Sequence, residues 1–249
     1  MRKKQWMKCY VVLLLPVMLY HSSFSQSIKP DTSSSPEYKN ALAFYNQSLS
    51  EELHLFNGRE YKGYTDKFSE GTPYFQSDKW SKGTLYYEGK MYENVSLLYD
   101  EVKDELVYLY FDNASSVRLG KERVSAFSIM SHNFINILSD SIHASSITPG
   151  FYDELYHGNN SLIAKRTKNI QTSLRQSGAE IKVFYKDHYY LRRGDRYEAV
   201  SNKKTLLHNF SDKRKELQQY IRQNKLSFRK DMENAMTKTV AYYDQLSNK

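Results

Sequence analysis

The chain has 249 residues, a formal net charge of +8 at pH 7 and one cysteine, Cys9. A single cysteine excludes an intrachain disulfide and any metal site built from several thiolates. A chain of this length can bury a hydrophobic core without such covalent support, so side-chain packing is expected to hold the fold.

The first 25 residues have the pattern of a secretory signal peptide. Four Lys/Arg residues precede an apolar run, residues 10–20, and Ser23 and Ser25 supply the small side chains found before a cleavage site. We expect this segment to direct export to the periplasm or the cell envelope. We also expect its cleavage after Ser25, which removes Cys9. The alternative is an uncleaved membrane anchor, but that needs roughly 20 apolar residues and this run is shorter.

The mature chain, residues 26–249, then carries a net charge of +4, because cleavage removes four cations from a chain whose net charge is +8. No other apolar segment approaches the length of a membrane span, so no transmembrane helix is expected after cleavage. Residues 26–36 are rich in Ser and Pro and predict a flexible lead-in. No linker interrupts residues 37–249, which are expected to form a single domain.

Helical periodicity occurs at both ends of this domain. Pro36 suits the first position of a helix, and apolar residues recur every three or four positions up to Phe56, which predicts an amphipathic helix over residues 37–57. Residues 203–247 are again helical in period. The most regular apolar stripe is that of the last helix: Met232, Ala235, Met236, Thr239, Val240, Tyr243 and Leu246.

Residues 59–200 are rich in β-formers. The stretch from Trp80 to Phe111 predicts a three-stranded meander, with a hairpin turn at Gly89 and a third strand that is apolar on both faces. Further strands are predicted in pairs, with residues 171–179 as a polar loop between them. The pairs are 116–119 with 124–130, 151–157 with 161–168, 181–185 with 189–192, and 189–192 with 197–200.

These elements predict an α+β fold. The main feature is an antiparallel sheet of meander and hairpins, which could form a half-barrel, with an N-terminal helix and C-terminal helices packed on it.

Motifs for catalysis are absent from the sequence. It contains no HExxH, GxSxG, Walker or GxGxxG motif, so no catalytic residue, metal site or cofactor is predicted, and a non-enzymatic role is favoured. His132, His157 and His188 each lie near a predicted turn, where solvation is expected. The densest carboxylate group is also placed at a turn and is expected to be solvated, although a calcium site or a glycosidase pair could use it. Its members are Asp100, Glu101, Asp104 and Glu105.

Two surfaces are candidates for binding a ligand or a partner. The first is a stacking platform of Trp80, Tyr86 and Tyr87, for which packing within the sheet is the alternative. The second lies between residues 201 and 230, where nine Lys/Arg oppose two carboxylates, a net charge of +7. It could contact lipid head groups, lipopolysaccharide phosphates or an acidic protein, or could be a solvated helix face. Its candidate residues are Lys213, Arg214, Lys215, Arg222, Arg229 and Lys230. Export argues against nucleic acid as the partner.

The meander also carries a family resemblance. It fits the pattern G-x-x-x-Y-x-G-x-x-Y-x-x-V-x-L-x-YD, which begins at Gly83 and ends at Tyr99-Asp100. From about Ala41 to Leu246 the chain resembles a family of uncharacterised exported proteins of Bacteroidetes. The resemblance implies organism type and location, and it carries over no catalytic or ligand-binding residue.

Together these features favour an exported, non-enzymatic binding or scaffold protein, whose partner is an envelope protein, lipid or glycan. One alternative is a periplasmic carrier with an apolar cavity around Val107, Leu109 and Phe111. A second alternative is a glycan hydrolase that uses carboxylates such as Asp100 and Asp104.

Overall fold

The computed structural model describes residues 58–110, 114–138, 147–176 and 178–247, together with Pro36, Tyr38, Asn40 and Leu55. From Leu55 onward these belong to one compact unit, Ser48–Lys249. The predicted signal peptide, the lead-in before Pro36 and most of the predicted helix over residues 37–57 lie outside the described residues.

Eleven β-strands form one sheet in the described part of the chain. They are β1 (Arg59–Glu60), β2 (Ser81–Tyr87), β3 (Lys90–Asp100), β4 (Glu105–Leu109), β5 (Ser116–Arg118), β6 (Val124–Ile129), β7 (His132–Ile137), β8 (Gly150–Tyr156), β9 (Asn160–Arg175), β10 (Gly178–Arg193) and β11 (Arg196–Val200). Their order is β1-β5-β4-β3-β2-β6-β7-β8-β9-β10-β11, and every strand pair is antiparallel. The sheet is open, with β1 and β11 at its edges, so the predicted antiparallel sheet is confirmed.

The meander around Gly89 is also confirmed. Glu88 and Gly89 have φ angles of 50° and 77°, so both central turn residues are left-handed, which matches the twist of a two-residue hairpin. In β4, Val107 packs with Tyr61 and Leu98 on one face of the sheet, whereas the neighbouring positions face the opposite core. The strand is therefore covered on both sides, as its sequence predicts.

Two predicted pairings and one predicted loop are wrong. Strand β5 does not pair with β6, because β5 extends the sheet beyond β4 while β6 pairs with β2 on the other side of the meander. Most of the predicted loop over 171–179 belongs to β9 and β10, which pair along their whole 16-residue lengths. Residues 181–185 and 189–192 are parts of one strand and do not pair with each other. Polar side chains there mark an exposed hairpin, not a loop.

Three α-helices follow the sheet: α1 (Lys203–Asn209), α2 (Arg214–Gln223) and α3 (Met232–Ser247). Asn202 caps α1 in a reciprocal capping box with Thr205. The predicted stripe of α3 is confirmed at its central positions, which are buried with Leu162 of β9 and Leu191 of β10. None of the described helices combines the length and the apolar character needed to cross a membrane.

An aromatic core fills the same face of the sheet in its first half. Phe127 and Phe134 stack with ring centroids 4.7 Å apart, and Tyr99 and Phe151 meet Phe127 edge-on. Phe75, from the loop between β1 and β2, covers Phe134 at 5.0 Å. Offset and edge-on contacts of this kind add to the stabilisation from burial. Large aromatic side chains thus occupy the interior of this half of the sheet.

Replacing Phe134 tests this core. Phe134→Ala should lower the free energy of unfolding by about 3–5 kcal/mol, since it removes a buried ring and leaves a cavity among aromatic neighbours. Urea denaturation measures the loss. Leu174→Ala is the control, because Leu174 is 88% exposed at the end of the β9–β10 hairpin and its removal should change little. Equal losses for the two variants would contradict the assignment of the core.

Candidate functional site

The structure separates the predicted aromatic platform. Tyr86 and Tyr87 are consecutive in β2 and therefore point to opposite faces of the sheet. Tyr87 is 1% exposed within the aromatic core, whereas Tyr86 and Trp80 are exposed. Of the three platform residues, Trp80 and Tyr86 present their rings to solvent and Tyr87 does not.

The predicted cationic residues lie on the helical layer, and we call them the basic corner. It consists of Lys213, Arg214, Lys215, Arg222, Arg229 and Lys230. Lys213 is half-buried and the others are exposed. Leu217 and Ile221 are the buried face of α2, so its cations lie away from the core. Among the described residues, no carboxylate lies within 4.0 Å of any basic-corner nitrogen.

Three of these cations are crowded at one end of a helix. Lys213 is the N-cap of α2, Arg214 is its first residue, and Lys215 follows. The partial positive charge of a helix N-terminus disfavours cations there. Nearby Asp212 accepts a hydrogen bond from Tyr243 at 3.1 Å, so its carboxylate is oriented towards α3. The three cations outnumber Asp212 and Glu216, the carboxylates beside them, and leave an excess of positive charge at the start of α2.

The predicted carboxylate group is not solvated, and this expectation is wrong for Asp100 and Glu101. Asp100 is completely buried and accepts hydrogen bonds from the hydroxyls of Tyr61 and Tyr64 and from the N–H groups of Val102 and Lys103. The hydroxyl donors come from the loop after β1, which sequence periodicity does not connect to this turn.

Glu101 and Asp104 join the β3–β4 turn to β8 and β9. Glu101 Oε2 lies 2.7 Å from Lys168 Nζ, and burial raises the pKa of Glu101 against the opposing effect of Lys168. Asp104 Oδ2 lies 2.8 Å from Lys165 Nζ and 2.7 Å from Lys121 Nζ. These carboxylates therefore have structural partners within the fold.

A second charged cluster, which the sequence analysis missed, surrounds Arg166 of β9. Its guanidinium donates two hydrogen bonds to Asp153 of β8, one to Asp187 directly opposite on β10, and two to Glu233 in the first turn of α3. We call these residues, with His132, the Arg166 cluster. All five N–H donors of the guanidinium are thereby used.

His132 completes the cluster. Its Nδ1 lies 2.8 Å from Asp153 Oδ2, and its Nε2 lies 3.0 Å from Gln76 Nε2. An unprotonated Nε2 accepts a hydrogen bond from the Gln76 amide N–H. A protonated Nε2 instead donates to the Gln76 amide oxygen, which requires the amide to be rotated by 180°. The hydrogen bond to Asp153 raises the pKa of His132, with burial opposing it. Burial alone lowers the pKa of Arg166, but hydrogen bonds to Glu233 and Asp153 outweigh it and raise that pKa.

A groove of about 440 Å³ opens beside the Arg166 cluster, with Phe75, Lys168 and Tyr185 among its other lining residues. Burial, with Glu233 and Asp187 nearby, raises the pKa of Tyr189, which donates a hydrogen bond to Glu233, to about 12. Because both nitrogens of His132 and all donors of Arg166 already have partners, this groove offers little to an anionic ligand. No group of three or more His, Asp or Glu side chains in the described part of the chain is placed to hold a metal ion.

One sequence signal could have located the cluster. Leu162, Ala164, Arg166 and Lys168 alternate along β9 and therefore share one face. This face changes from apolar to cationic between Ala164 and Arg166. A helix that covers the strand there must supply acidic partners, so the change predicts buried ion pairs. The identities of those partners depend on β8, β10 and α3, which lie far apart in the sequence.

Removal of the Arg166 guanidinium should be costly. Arg166→Met should lower the free energy of unfolding by about 3–5 kcal/mol, because three carboxylates lose their shared counter-charge in a partly buried site. Urea denaturation at pH 7 measures the loss. Arg175→Met is a matched control on the same strand, where the pair with Glu180 is exposed and its loss should change little. A small effect at Arg166 would contradict the structural role of the cluster.

The stabilisation from His132 should depend on pH. Its pKa in the folded protein is raised above the ordinary value of 6.5. Its contribution is therefore complete below the unfolded pKa and is lost as pH rises through the folded pKa. The difference in unfolding free energy between the unaltered protein and His132→Asn should be largest below about pH 6.5 and should shrink as the pH rises above it. His188→Asn, at an exposed position of β10, controls for the loss of an imidazole. A difference that grows with pH would contradict the pairing.

Comparison with known proteins identifies no relative of this chain. No family model, no curated protein and no solved structure matches the chain.

Proposed function

We propose that this protein is an exported, non-enzymatic binding protein of the cell envelope, which contacts a phosphate-bearing anionic surface through its basic corner. The observation that carries the proposal is the cluster of cations at the start of α2, of which Arg214 and Lys215 are exposed and none forms an ion pair with a described carboxylate. Elsewhere, cations such as Lys121, Lys165 and Lys168 lie within 2.8 Å of a carboxylate oxygen. The sequence pattern of a signal peptide supports the location.

The cost of the arrangement supports a binding role. Like charges at the positive end of a helix oppose folding, and the fold gains no ion pair from them. A local rule that is broken without structural compensation is typical of a functional surface. An anionic surface would supply the missing counter-charge, at about 1 kcal/mol for each Lys or Arg close to it.

The two other functional hypotheses have less support. The carrier hypothesis places a cavity around Val107, Leu109 and Phe111, but Val107 is buried against Tyr61 and Leu98, and Phe111 lies outside the described residues. The hydrolase hypothesis uses Asp100 and Asp104. A catalytic carboxylate must reach its substrate, and Asp100 is 0% exposed with hydrogen bonds to both oxygens.

Vesicle co-sedimentation tests the proposal. The mature chain should bind phosphatidylcholine vesicles that contain phosphatidylglycerol or lipopolysaccharide, and should leave pure phosphatidylcholine vesicles unbound. Comparison of the two anionic lipids distinguishes a phospholipid surface from lipopolysaccharide. The variant Lys213→Gln/Arg214→Gln/Lys215→Gln should bind roughly 100-fold more weakly, since three contributions of about 1 kcal/mol are lost. High salt should also release the chain, because it screens surface charge.

The matched control is Lys79→Gln/Lys82→Gln/Lys90→Gln. It removes the same net charge from exposed positions at and near the β2–β3 hairpin. Binding by this variant should stay within about twofold of the unaltered protein, a change on the order of 0.4 kcal/mol. Equal weakening by the two triple variants would show that binding depends on net charge and not on the basic corner, which would contradict the proposal. Failure to bind both anionic lipids would also overturn it.

A further inference from the structure

A second cationic site lies at the opposite end of the sheet from the helices in strand order. A cavity of about 600 Å³ opens between β1, β5 and the short 3-10 turn at Lys121–Arg123. We call it the cationic cavity. Its described charged lining residues are Arg59, Lys103, Arg118, Lys121 and Arg123, against Glu105 and Glu122. Five cations and two carboxylates leave a net charge of +3.

The central feature of the cavity is a pair of arginines. Arg59 of β1 lies directly opposite Arg118 of β5 in the antiparallel register. Directly opposed residues have Cβ atoms only about 5 Å apart, and like charges in such a pair are destabilising. Gly58 keeps the strands in this close approach, because a Cβ there would lie 2.2 Å from the carbonyl oxygen of Arg118. The register thus holds two guanidinium groups at the same wall of the cavity.

The fold neutralises only one member of this pair. Arg118 donates to Glu105 at 2.6 Å through one nitrogen, whereas Arg59 is exposed and has no carboxylate within 4.0 Å among the described residues. A guanidinium has five N–H donors, so most donors of this pair remain available for a ligand.

Two further cations are held in position from outside the cavity. Lys121 Nζ lies 2.7 Å from Asp104, and Arg123 donates to Glu88 at 2.9 Å. Neither Asp104 nor Glu88 is a lining residue of the cavity, whereas Glu122, whose Oε1 lies 3.7 Å from Arg123 Nε, is one. These ion pairs reduce the freedom of both side chains without filling the space that they face. The result is a set of cations ordered around an open volume.

We propose that the cationic cavity binds a phosphate or a small phosphomonoester, with Arg59 and Arg118 as its principal ligands. Paired guanidinium groups recognise such oxyanions through parallel N–H···O bonds. The volume lies within the range of small-molecule sites. A bound oxyanion would convert the repulsion between Arg59 and Arg118 into two attractive contacts. The site is separate from the basic corner and does not depend on it.

Isothermal titration calorimetry of the mature chain tests this site, with inorganic phosphate and glycerol phosphate as the probes at constant ionic strength. Saturable binding with one site per chain is expected. Arg59→Gln should weaken it about tenfold, the effect of losing one charge-assisted hydrogen bond. Comparison of the two probes distinguishes a free phosphate site from one that takes a phosphomonoester.

Thermal unfolding supplies a second measurement that a misfolded variant could not reproduce. Without phosphate, Arg59→Gln should have a midpoint equal to or above that of the unaltered protein, because the opposed charges are removed. With phosphate, the unaltered protein should gain stability, and Arg59→Gln should gain less at the same phosphate concentration.

The control for both measurements is Arg196→Gln. Arg196 lies directly opposite Arg193 across the β10–β11 turn, so it is also part of an opposed pair, and it is not a lining residue of the cavity. It should leave phosphate affinity unchanged, as should the triple variant of the basic corner. Absence of saturable phosphate binding would overturn the inference, as would equal weakening by Arg59→Gln and Arg196→Gln. Either result leaves the vesicle experiment unaffected.

Discussion

The contact on which the architecture most depends is the five-bond junction at Arg166. One guanidinium joins three elements that are remote in sequence, through Asp153 of β8, Asp187 of β10 and Glu233 of α3. The helical layer is held against the sheet by apolar packing on one side of this junction, while the aromatic core fills the sheet face on the other. Because a buried guanidinium without carboxylates would be strongly unfavourable, the junction specifies which face of the sheet α3 covers. The position of the basic corner follows from it.

The β3–β4 turn makes the corresponding connection in the first half of the sheet. Asp100 is enclosed by donors from the preceding loop, and Glu101 and Asp104 reach lysines of β9. The hydrogen bond from Lys168 N–H to the Glu101 carbonyl oxygen, at 3.3 Å, brings the turn against the part of β9 that β8 does not pair. A turn rich in carboxylates thus closes the polar side of the aromatic core. Its charges are used for assembly, which accounts for the density of carboxylates at this turn.

Charge is distributed unequally over the molecule. Cations of the sheet such as Lys165, Arg166 and Lys168 are neutralised within the fold, whereas the basic corner and Arg59 are not. The neutralised group is largely buried and contributes to stability. The uncompensated group is largely exposed and contributes no ion pair, so its positive potential is available to partners. The two proposals for binding come from this difference. They concern separate surfaces, one a helical face suited to an extended anionic surface and one a cavity suited to a compact anion.

Local patterns in the sequence determined the element types. Alternation and turn residues predicted the meander around Gly89, and helical periodicity predicted α3 with its buried stripe, since both depend on residues close together in the chain. Net charge likewise located the basic corner between residues 201 and 230. Only the tertiary structure decided that β5 and β6 lie on opposite sides of the meander, that most of residues 171–179 continue two long strands, and that Tyr87 is the buried member of the Tyr86–Tyr87 pair. It alone decided that Arg166 meets Asp153, Asp187 and Glu233, and that Arg59 opposes Arg118. Such contacts join residues distant in sequence, and they arise from strand order and register, which periodicity within one element does not specify.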